Sequence, residues 1–197
     1  MTRIATAALG AAALSSLLSI ADAVAGGLGD HLLSEEDATG WATTGTSLLL
    51  GATFALLAAV LAQRGRDIDA GRRSVRAVRL VLTADLTLLA VLFIAGILVA
   101  RYPDTVLYRA WGAVSGTGFL LMFVAGVILG ALLLRRPELR TGAILLTAPL
   151  VIIPLTIAAN AMAPGWGHPG YAETALYLGV ALLGLEPVPA RPVGVAR

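Results

Sequence analysis

The chain has 197 residues, of which 58% are hydrophobic and 13% charged, and its mean hydropathy is +0.87. Because a soluble domain carries roughly 25% charged residues, this composition excludes an ordinary soluble protein and predicts an integral membrane protein. The formal net charge is only +2. Cysteine is absent, which excludes disulfides, thiolate catalysis and cysteine-ligated metals.

Apolar segments recur along the whole chain. A helix rises about 1.5 Å per residue, so about 20 residues cross about 30 Å of hydrocarbon. Five segments reach that length, and a sixth is shorter and precedes Pro187. The segments are residues 4–24, 44–62, 80–100, 112–134, 141–162 and 171–185. They predict an all-α, polytopic helical bundle with six transmembrane helices in one domain, 1–186, followed by a short Pro-rich tail, 187–197.

The arginines predict the orientation of this bundle. Twelve of the fourteen lie at the termini or in the connections after the second and fourth segments. The positive-inside rule then places both termini in the cytoplasm and the protein in the cytoplasmic membrane. Aromatic side chains predict an interfacial belt at the opposite face, namely Trp41, Tyr102, Tyr108, Trp111, Trp166 and Tyr171.

The first segment admits two interpretations. Residues 21–23, Ala-Asp-Ala, resemble a signal-peptidase site, and cleavage there would leave five helices. The long apolar stretch and the single Arg3 before it favour a retained helix. In that helix small residues recur at every fourth position and predict a packing ridge, formed by Ala7, Ala11, Ser15, Ser19 and Ala23.

Other local signals predict details of the helices and connections. Ser34, followed by acidic residues, predicts a short helix over 35–39 in the first connection. Pro149 and Pro154 should kink the fifth segment, because each lacks a backbone donor. Glycines of the fourth segment should let neighbouring helices approach closely; they are Gly112, Gly116, Gly126 and Gly130.

Asp85 is the one acid well inside a predicted span, about 9 Å beyond Arg79 along a helix. A carboxylate at such depth is costly and must be protonated, hydrated or paired. The functional interpretation is a proton or cation relay. The structural interpretation is a buried hydrogen bond, either to Thr147 at similar depth or to an arginine of the cytoplasmic connection.

Polar residues near the opposite boundary predict a second candidate site. They are Asp22, His31, Glu35, Asn160, His168 and Glu173. Imidazole and carboxylate groups suit divalent cations, but none of these residues has the spacing of a metal motif, so the sequence predicts neither a metal nor a cofactor. Residues 165–170 match G-x-G-x-x-G, yet they join two membrane helices and predict a turn instead of a dinucleotide site.

Four arginines of the second connection should contact anionic lipid headgroups at the cytoplasmic face: Arg72, Arg73, Arg76 and Arg79. They are predicted to share one helical face, with Asp69 pairing with Arg73 four residues on. No stacking aromatics accompany them, so nucleic acid is not an expected partner.

The sequence leaves three classes of function open. Sparse polarity within the spans favours a non-enzymatic membrane subunit or scaffold, either a homo-oligomer or bound to another membrane protein. The second class is a small proton-coupled transporter that uses Asp85, with the proline-containing helix as its moving part. The third is a membrane-embedded enzyme with its site in the polar cluster at the outer face.

Overall fold

The computed structural model describes residues 3–28, 40–163 and 165–185, apart from the side chains of residues 41 and 42. These residues form helices and no strand, which confirms the predicted all-α class. The helices are α1 (Arg3–Gly27), α2 (Trp41–Gln63), α3 (Gly65–Asp69), α4 (Arg73–Val99), α5 (Val106–Leu133), α6 (Arg140–Thr147), α7 (Pro149–Met162) and α8 (Gly170–Leu185). The helix predicted over 35–39 and the tail 187–197 lie outside the described residues.

Five stretches of helix are long and apolar enough to cross a membrane: α1, α2, α4, α5, and α6 together with α7. With 16 residues, α8 is about 24 Å long and thus shorter than the hydrocarbon core. Ten of those 16 residues are buried, so α8 lies inside the bundle and its neighbours surround it. The protein is therefore built as a multi-pass helical bundle in which α8, too short by itself to cross the hydrocarbon core, is largely buried.

Two helices begin earlier than the hydropathy predicts. Helix α4 starts at Arg73 instead of residue 80, and α5 starts at Val106 instead of residue 112. Hydropathy detects only the apolar part of a helix. Both helices begin with a less apolar turn or two that precede this part. At α5 the Thr105 hydroxyl accepts a hydrogen bond from the backbone N–H of Tyr108 at 3.2 Å and so caps the first turn.

The helices pack in sequence around a common centre. Helix α1 contacts α2, which contacts α4, then α5 and α6 follow, and α8 closes the arrangement between α6 and α1. Four aromatic rings from α2, α4, α5 and α8 fill the centre. The ring of Phe54 lies 5.5 Å from those of Phe93 and Tyr177 and 6.0 Å from that of Phe119. The axis of the described bundle is therefore occupied by side chains.

The two ends of the bundle differ in charge. One end carries the α2–α4 and α5–α6 connections and is called here the arginine-rich end. The other carries the α4–α5 and α7–α8 connections and is called the arginine-poor end.

Helix α1 packs through small residues, but along a different line from the predicted ridge. The buried positions are Ala5, Ala8, Ala12, Ser15, Ser16 and Ala23, whereas Ala7 is exposed. A step of four residues overshoots one helical turn by about 40°, so a strict four-residue ridge drifts around the helix. Alternating steps of three and four keep the buried line facing α2 and α8.

A hydroxyl chain joins α1 to α2. The Thr53 hydroxyl donates to the backbone oxygen of Leu49 at 2.9 Å, and Ser15 Oγ lies 2.8 Å from Thr53 Oγ1. Because a hydroxyl has a single proton, Ser15 donates to Thr53. This bond is buried among apolar side chains, where such a polar contact fixes how two helices face each other.

The helix is interrupted next to Pro149, one of the two positions where the sequence predicts a kink. The α-helix stops at Thr147 and resumes at Pro149, which has no N–H to donate to the preceding turn. Pro154, in contrast, lies inside α7 without ending it. Beyond the break α7 has one buried residue, and four of its apolar side chains are between 62% and 66% exposed: Leu150, Val151, Leu155 and Ile157. Helix α7 thus presents most of its surface to the surroundings.

The α5 glycines divide into two pairs. A Cβ at Gly126 would lie 2.8 Å from Leu176, and one at Gly130 would lie 2.8 Å from the backbone oxygen of Ala143. These two positions allow α6 and α8 to approach α5, as predicted. A Cβ at Gly112 or Gly116 would meet no atom within 4 Å, so the predicted packing role of this pair is wrong within the described bundle.

Candidate functional site

Asp85 lies on α4 where that helix meets α5. Asp85 is 4% exposed, and neither of its carboxyl oxygens has a hydrogen-bond partner among the described residues. Gly118 of α5 lies beside the carboxyl group: a Cβ there would be at ordinary contact distance from Asp85 Oδ1, 3.4 Å, but would crowd Leu89 Cδ2 at 2.9 Å. A buried polar group is normally hydrogen-bonded, so this carboxyl group is the strongest functional candidate in the described chain.

Asp85 lines a groove between α4 and α5 with a volume of about 280 Å³, and each of its two carboxyl oxygens exposes less than 1 Å². The groove is formed by Asp85, Leu88, Ala113, Val114, Thr117, Gly118 and Leu121. Leu88, Val114 and Leu121 are each 42–45% exposed, so this groove lies on the outer, apolar surface of the bundle. The Thr117 hydroxyl donates to the backbone oxygen of Ala113 at 2.8 Å and leaves Asp85 unbonded.

The predicted hydrogen bond between Asp85 and Thr147 is absent from the structure. The Thr147 hydroxyl bonds to backbone oxygens of its own helix, including that of Ile144 at 2.9 Å. Asp85 is level with Gly118 on α5, whereas Thr147 is level with Gly130. Twelve residues of helix separate those glycines, about 18 Å along the axis, so the prediction of similar depth was wrong.

An arginine partner for Asp85 is also absent, because the nearest arginine along α4 is engaged elsewhere. Arg79 Nε and Nη2 donate to Asp69 Oδ1 and Oδ2 at 2.7 and 2.9 Å, and Nη1 donates to the backbone oxygen of Leu61 at 3.2 Å. Arg79 is 6% exposed and Asp69 8%. A Cβ at Gly65 would lie 2.8 Å from the guanidinium carbon, so this glycine leaves the space that the ion pair occupies.

This ion pair corrects two predictions. Asp69 pairs with Arg79 and not with Arg73, because Ala70 and Gly71 have φ of 46° and 80° and turn the chain out of the helix between residues 69 and 73. Arg79 is also not presented to a lipid headgroup. Three residues of helix turn the chain about 60° less than a full circle. Arg79 lies six residues after the exposed Arg73 and therefore about 120° away from it around α4.

Arginines also tie the two connections of the arginine-rich end to each other. Arg72 donates to the backbone oxygen of Leu132 near the end of α5. In return Arg136 donates to the backbone oxygens of Asp67 and Ile68 at 2.9 and 2.8 Å, and Glu138 holds Arg136 through contacts of 2.6 and 2.8 Å. Guanidinium groups at the last carbonyls of a helix are favourable both as hydrogen-bond donors and through the helix dipole.

At the arginine-poor end the structure joins two members of the predicted polar cluster. His168 Nε2 lies 3.6 Å from Asp22 Oδ2. His168 Nδ1 accepts a hydrogen bond from the backbone N–H of Gly170 at 3.1 Å, so a neutral imidazole carries its proton on Nε2, facing the carboxylate. The pair therefore connects α1 to the start of α8.

The other described members of that cluster have separate partners. Asn160 Oδ1 accepts from the backbone N–H of Gly165 at 3.3 Å, and Glu173 Oε2 accepts from the Tyr177 hydroxyl at 3.2 Å. His31 and Glu35 lie outside the described residues. Within the described ranges no three His, Cys, Asp or Glu side chains are grouped as a metal site would require.

The glycine-rich connection before α8 is the predicted turn. Gly165 has a φ of +100°, and a Cβ there would come within 2.7 Å of the backbone oxygen of Gly26. Trp166 covers Gly27, where a Cβ would lie 2.5 Å from the indole ring. These glycines let the connection pack directly on the end of α1.

Comparison of the chain with protein-family models, with curated proteins and with solved structures finds no match.

Proposed function

We propose that this protein is a non-enzymatic subunit of a membrane complex, and that the α4–α5 groove binds a transmembrane helix of a different protein. The observation that carries the proposal is the Asp85 carboxyl group, which is buried at the edge of an apolar groove with neither oxygen bonded. A charged group in hydrocarbon costs a few kcal/mol on insertion scales, and a partner that hydrogen-bonds to it recovers much of that cost.

The chemistry of the groove defines the partner. Asp85 needs a donor, and the hydroxyl groups of Thr87 and Thr117 donate to their own helices. The Ser115 hydroxyl on α5 is also buried, and it makes no hydrogen bond to Asp85. A partner helix with a lysine, arginine or amide side chain near its centre would complement the carboxyl group once the Asp85 side chain turns its buried oxygens towards the groove. Gly112 and Gly116, which have open space beside them, allow the partner backbone to come close to α5.

We also propose that the bundle lies in the cytoplasmic membrane. Its arginine-rich end would face the cytoplasm, α8 would be the sixth transmembrane helix, and both termini would lie in the cytoplasm. The positive-inside distribution supports this orientation. Retention of α1 is supported by its buried contacts with α2 and α8 and by its unbroken course through residues 21–23.

A proton-coupled transporter is the alternative that uses the same residue. A relay through Asp85 would need a hydrated path, and the aromatic rings of Phe54, Phe93, Phe119 and Tyr177 occupy the bundle centre. The groove beside Asp85 opens instead towards the apolar surroundings. These two observations favour the subunit over the carrier.

The test measures association with a defined helix. Full-length protein and a fluorescent poly-leucine transmembrane peptide are reconstituted in bilayers, with energy transfer as the readout. The peptide carries lysine, asparagine or leucine at the depth of Asp85. We expect the lysine peptide to bind at least tenfold more tightly than the leucine peptide, and expect this preference to disappear in Asp85→Leu.

Thr87→Leu is the matched control for Asp85→Leu. It changes a neighbouring polar residue of α4 and should leave the preference for the lysine peptide intact. Equal binding of the three peptides would refute the partner helix. Self-association of the wild type through this groove, abolished by Gly116→Leu, would assign the groove to a second copy instead. Proton uptake under a pH gradient that is lost in Asp85→Asn would establish the transporter.

A further inference from the structure

A pocket of about 410 Å³ lies at the arginine-rich end, beside the turn that connects α3 to α4. Pockets that bind small ligands measure about 300–1,000 Å³, so this one is large enough to hold a ligand group. Its lining consists of Arg66, Asp69, Gly71, Arg72, Arg73 and Arg76. Four arginines and a single acidic residue thus line the pocket.

That carboxylate does not neutralise the pocket. Both oxygens of Asp69 accept hydrogen bonds from Arg79, which lies outside the lining. The other described acids of this end are also paired with arginines outside the lining, since Asp67 lies 3.4 Å from Arg64 and Glu138 lies 2.6 Å from Arg136. The four lining arginines therefore have no carboxylate partner among the described residues.

The helix that starts at the pocket adds to its positive potential. Arg72 is the N-cap of α4, and its side chain makes no capping hydrogen bond to the first turn. The first N–H groups of a helix lack partners within that helix, and a helix N-terminus attracts negative charge. Here the helix is 27 residues long, and the arginine side chains gather at the same point.

We infer that this pocket binds a phosphate ester through Arg66, Arg73 and Arg76, with the start of α4 contributing. The guanidinium group presents paired donors that match two phosphate oxygens, and three such groups beside one cavity suit a doubly charged phosphate monoester best. The phosphate belongs either to the headgroup of an anionic lipid or to a soluble phosphate compound. This inference does not depend on the partner helix of the α4–α5 groove.

Binding is measured on the full chain in phosphatidylcholine nanodiscs titrated with phosphatidic acid, which carries a phosphate monoester. Native mass spectrometry counts the phosphatidate molecules retained by each chain. We expect one tightly held phosphatidate in the wild type and about thirtyfold weaker binding in Arg73→Gln/Arg76→Gln, since each arginine near the surface contributes about 1 kcal/mol. Arg135→Gln, which removes an exposed arginine of the same end outside the lining, should bind like the wild type.

A second arm distinguishes the two sources of phosphate. Inorganic phosphate is added to the phosphatidate-loaded discs: displacement supports a soluble ligand for the pocket, and retention supports the lipid headgroup. Both substitutions lie on exposed side chains, and melting in phosphatidylcholine alone checks that the variants fold. A loss of about fivefold in Arg135→Gln, the share of one charge in a thirtyfold loss for two, would overturn the inference, because binding would then follow total charge. No retained phosphatidate and no response to phosphate would overturn it too.

Discussion

The buried ion pair between Asp69 and Arg79 should contribute more to stability than any exposed charge of this protein. Arg79→Met removes the guanidinium group and leaves the Asp69 carboxylate and the Leu61 oxygen buried without their donors. Breaking a buried pair by removing one partner costs about 3–5 kcal/mol. For a chain of this length, 1 kcal/mol corresponds to about 2–4 °C, so the melting temperature should fall by about 6–20 °C.

The double variant Asp69→Leu/Arg79→Met separates the charge effect from the packing effect. Replacing both charges with apolar groups is often neutral, so this variant should be more stable than Arg79→Met alone. Arg73→Met is the matched control, because Arg73 is exposed at the start of the same helix and should change stability by no more than about 0.5 kcal/mol. The measurement is unfolding of detergent-solubilised protein followed by tryptophan fluorescence. The reasoning is refuted if Arg79→Met melts at the same temperature as the control, or if the loss in the double variant equals the losses of Asp69→Leu and Arg79→Met added together.

Three further predictions concern the packing of the bundle. Gly130→Ala should lower the free energy of unfolding by about 1–3 kcal/mol, since a Cβ there meets a backbone oxygen, whereas Gly112→Ala should not lower it, since that position is open; thermal melting compares the two. Ser15→Ala should cost about 0.6 kcal/mol through loss of its bond to Thr53, and no additional loss should appear in a Thr53→Val background if the bond is the cause. Pro149→Ala restores a backbone donor and should slow amide hydrogen exchange where α6 meets α7; unchanged exchange would show that tertiary contacts impose the break.

Hydropathy and local chemistry predicted the elements of this fold well. The long apolar helices, the interruption at Pro149 and the turn at Gly165 each follow from a property of the residue itself. A span needs about 20 apolar residues, proline lacks a donor, and glycine tolerates positive φ. Such properties act within a few residues and therefore can be read along the chain.

Contacts between distant segments could not be predicted in the same way. On one continuous helix Asp69 would pair with Arg73, but the positive φ of Ala70 and Gly71 turns the chain so that Asp69 pairs with Arg79. The sequence identifies Asp85 as an unusual buried acid, but it gives the depth of a partner only by a count of residues from the membrane edge. Helices that extend beyond the hydrocarbon by different lengths make that count unreliable.

The order of the helices has a consequence for synthesis. The alanine face of α1 is covered largely by α8, which begins 143 residues after α1 ends. A ribosome adds about 5–20 residues per second, so about 7–30 s pass before the covering helix emerges. During that interval the nascent α1 must keep this face against lipid, the translocon or an insertion chaperone.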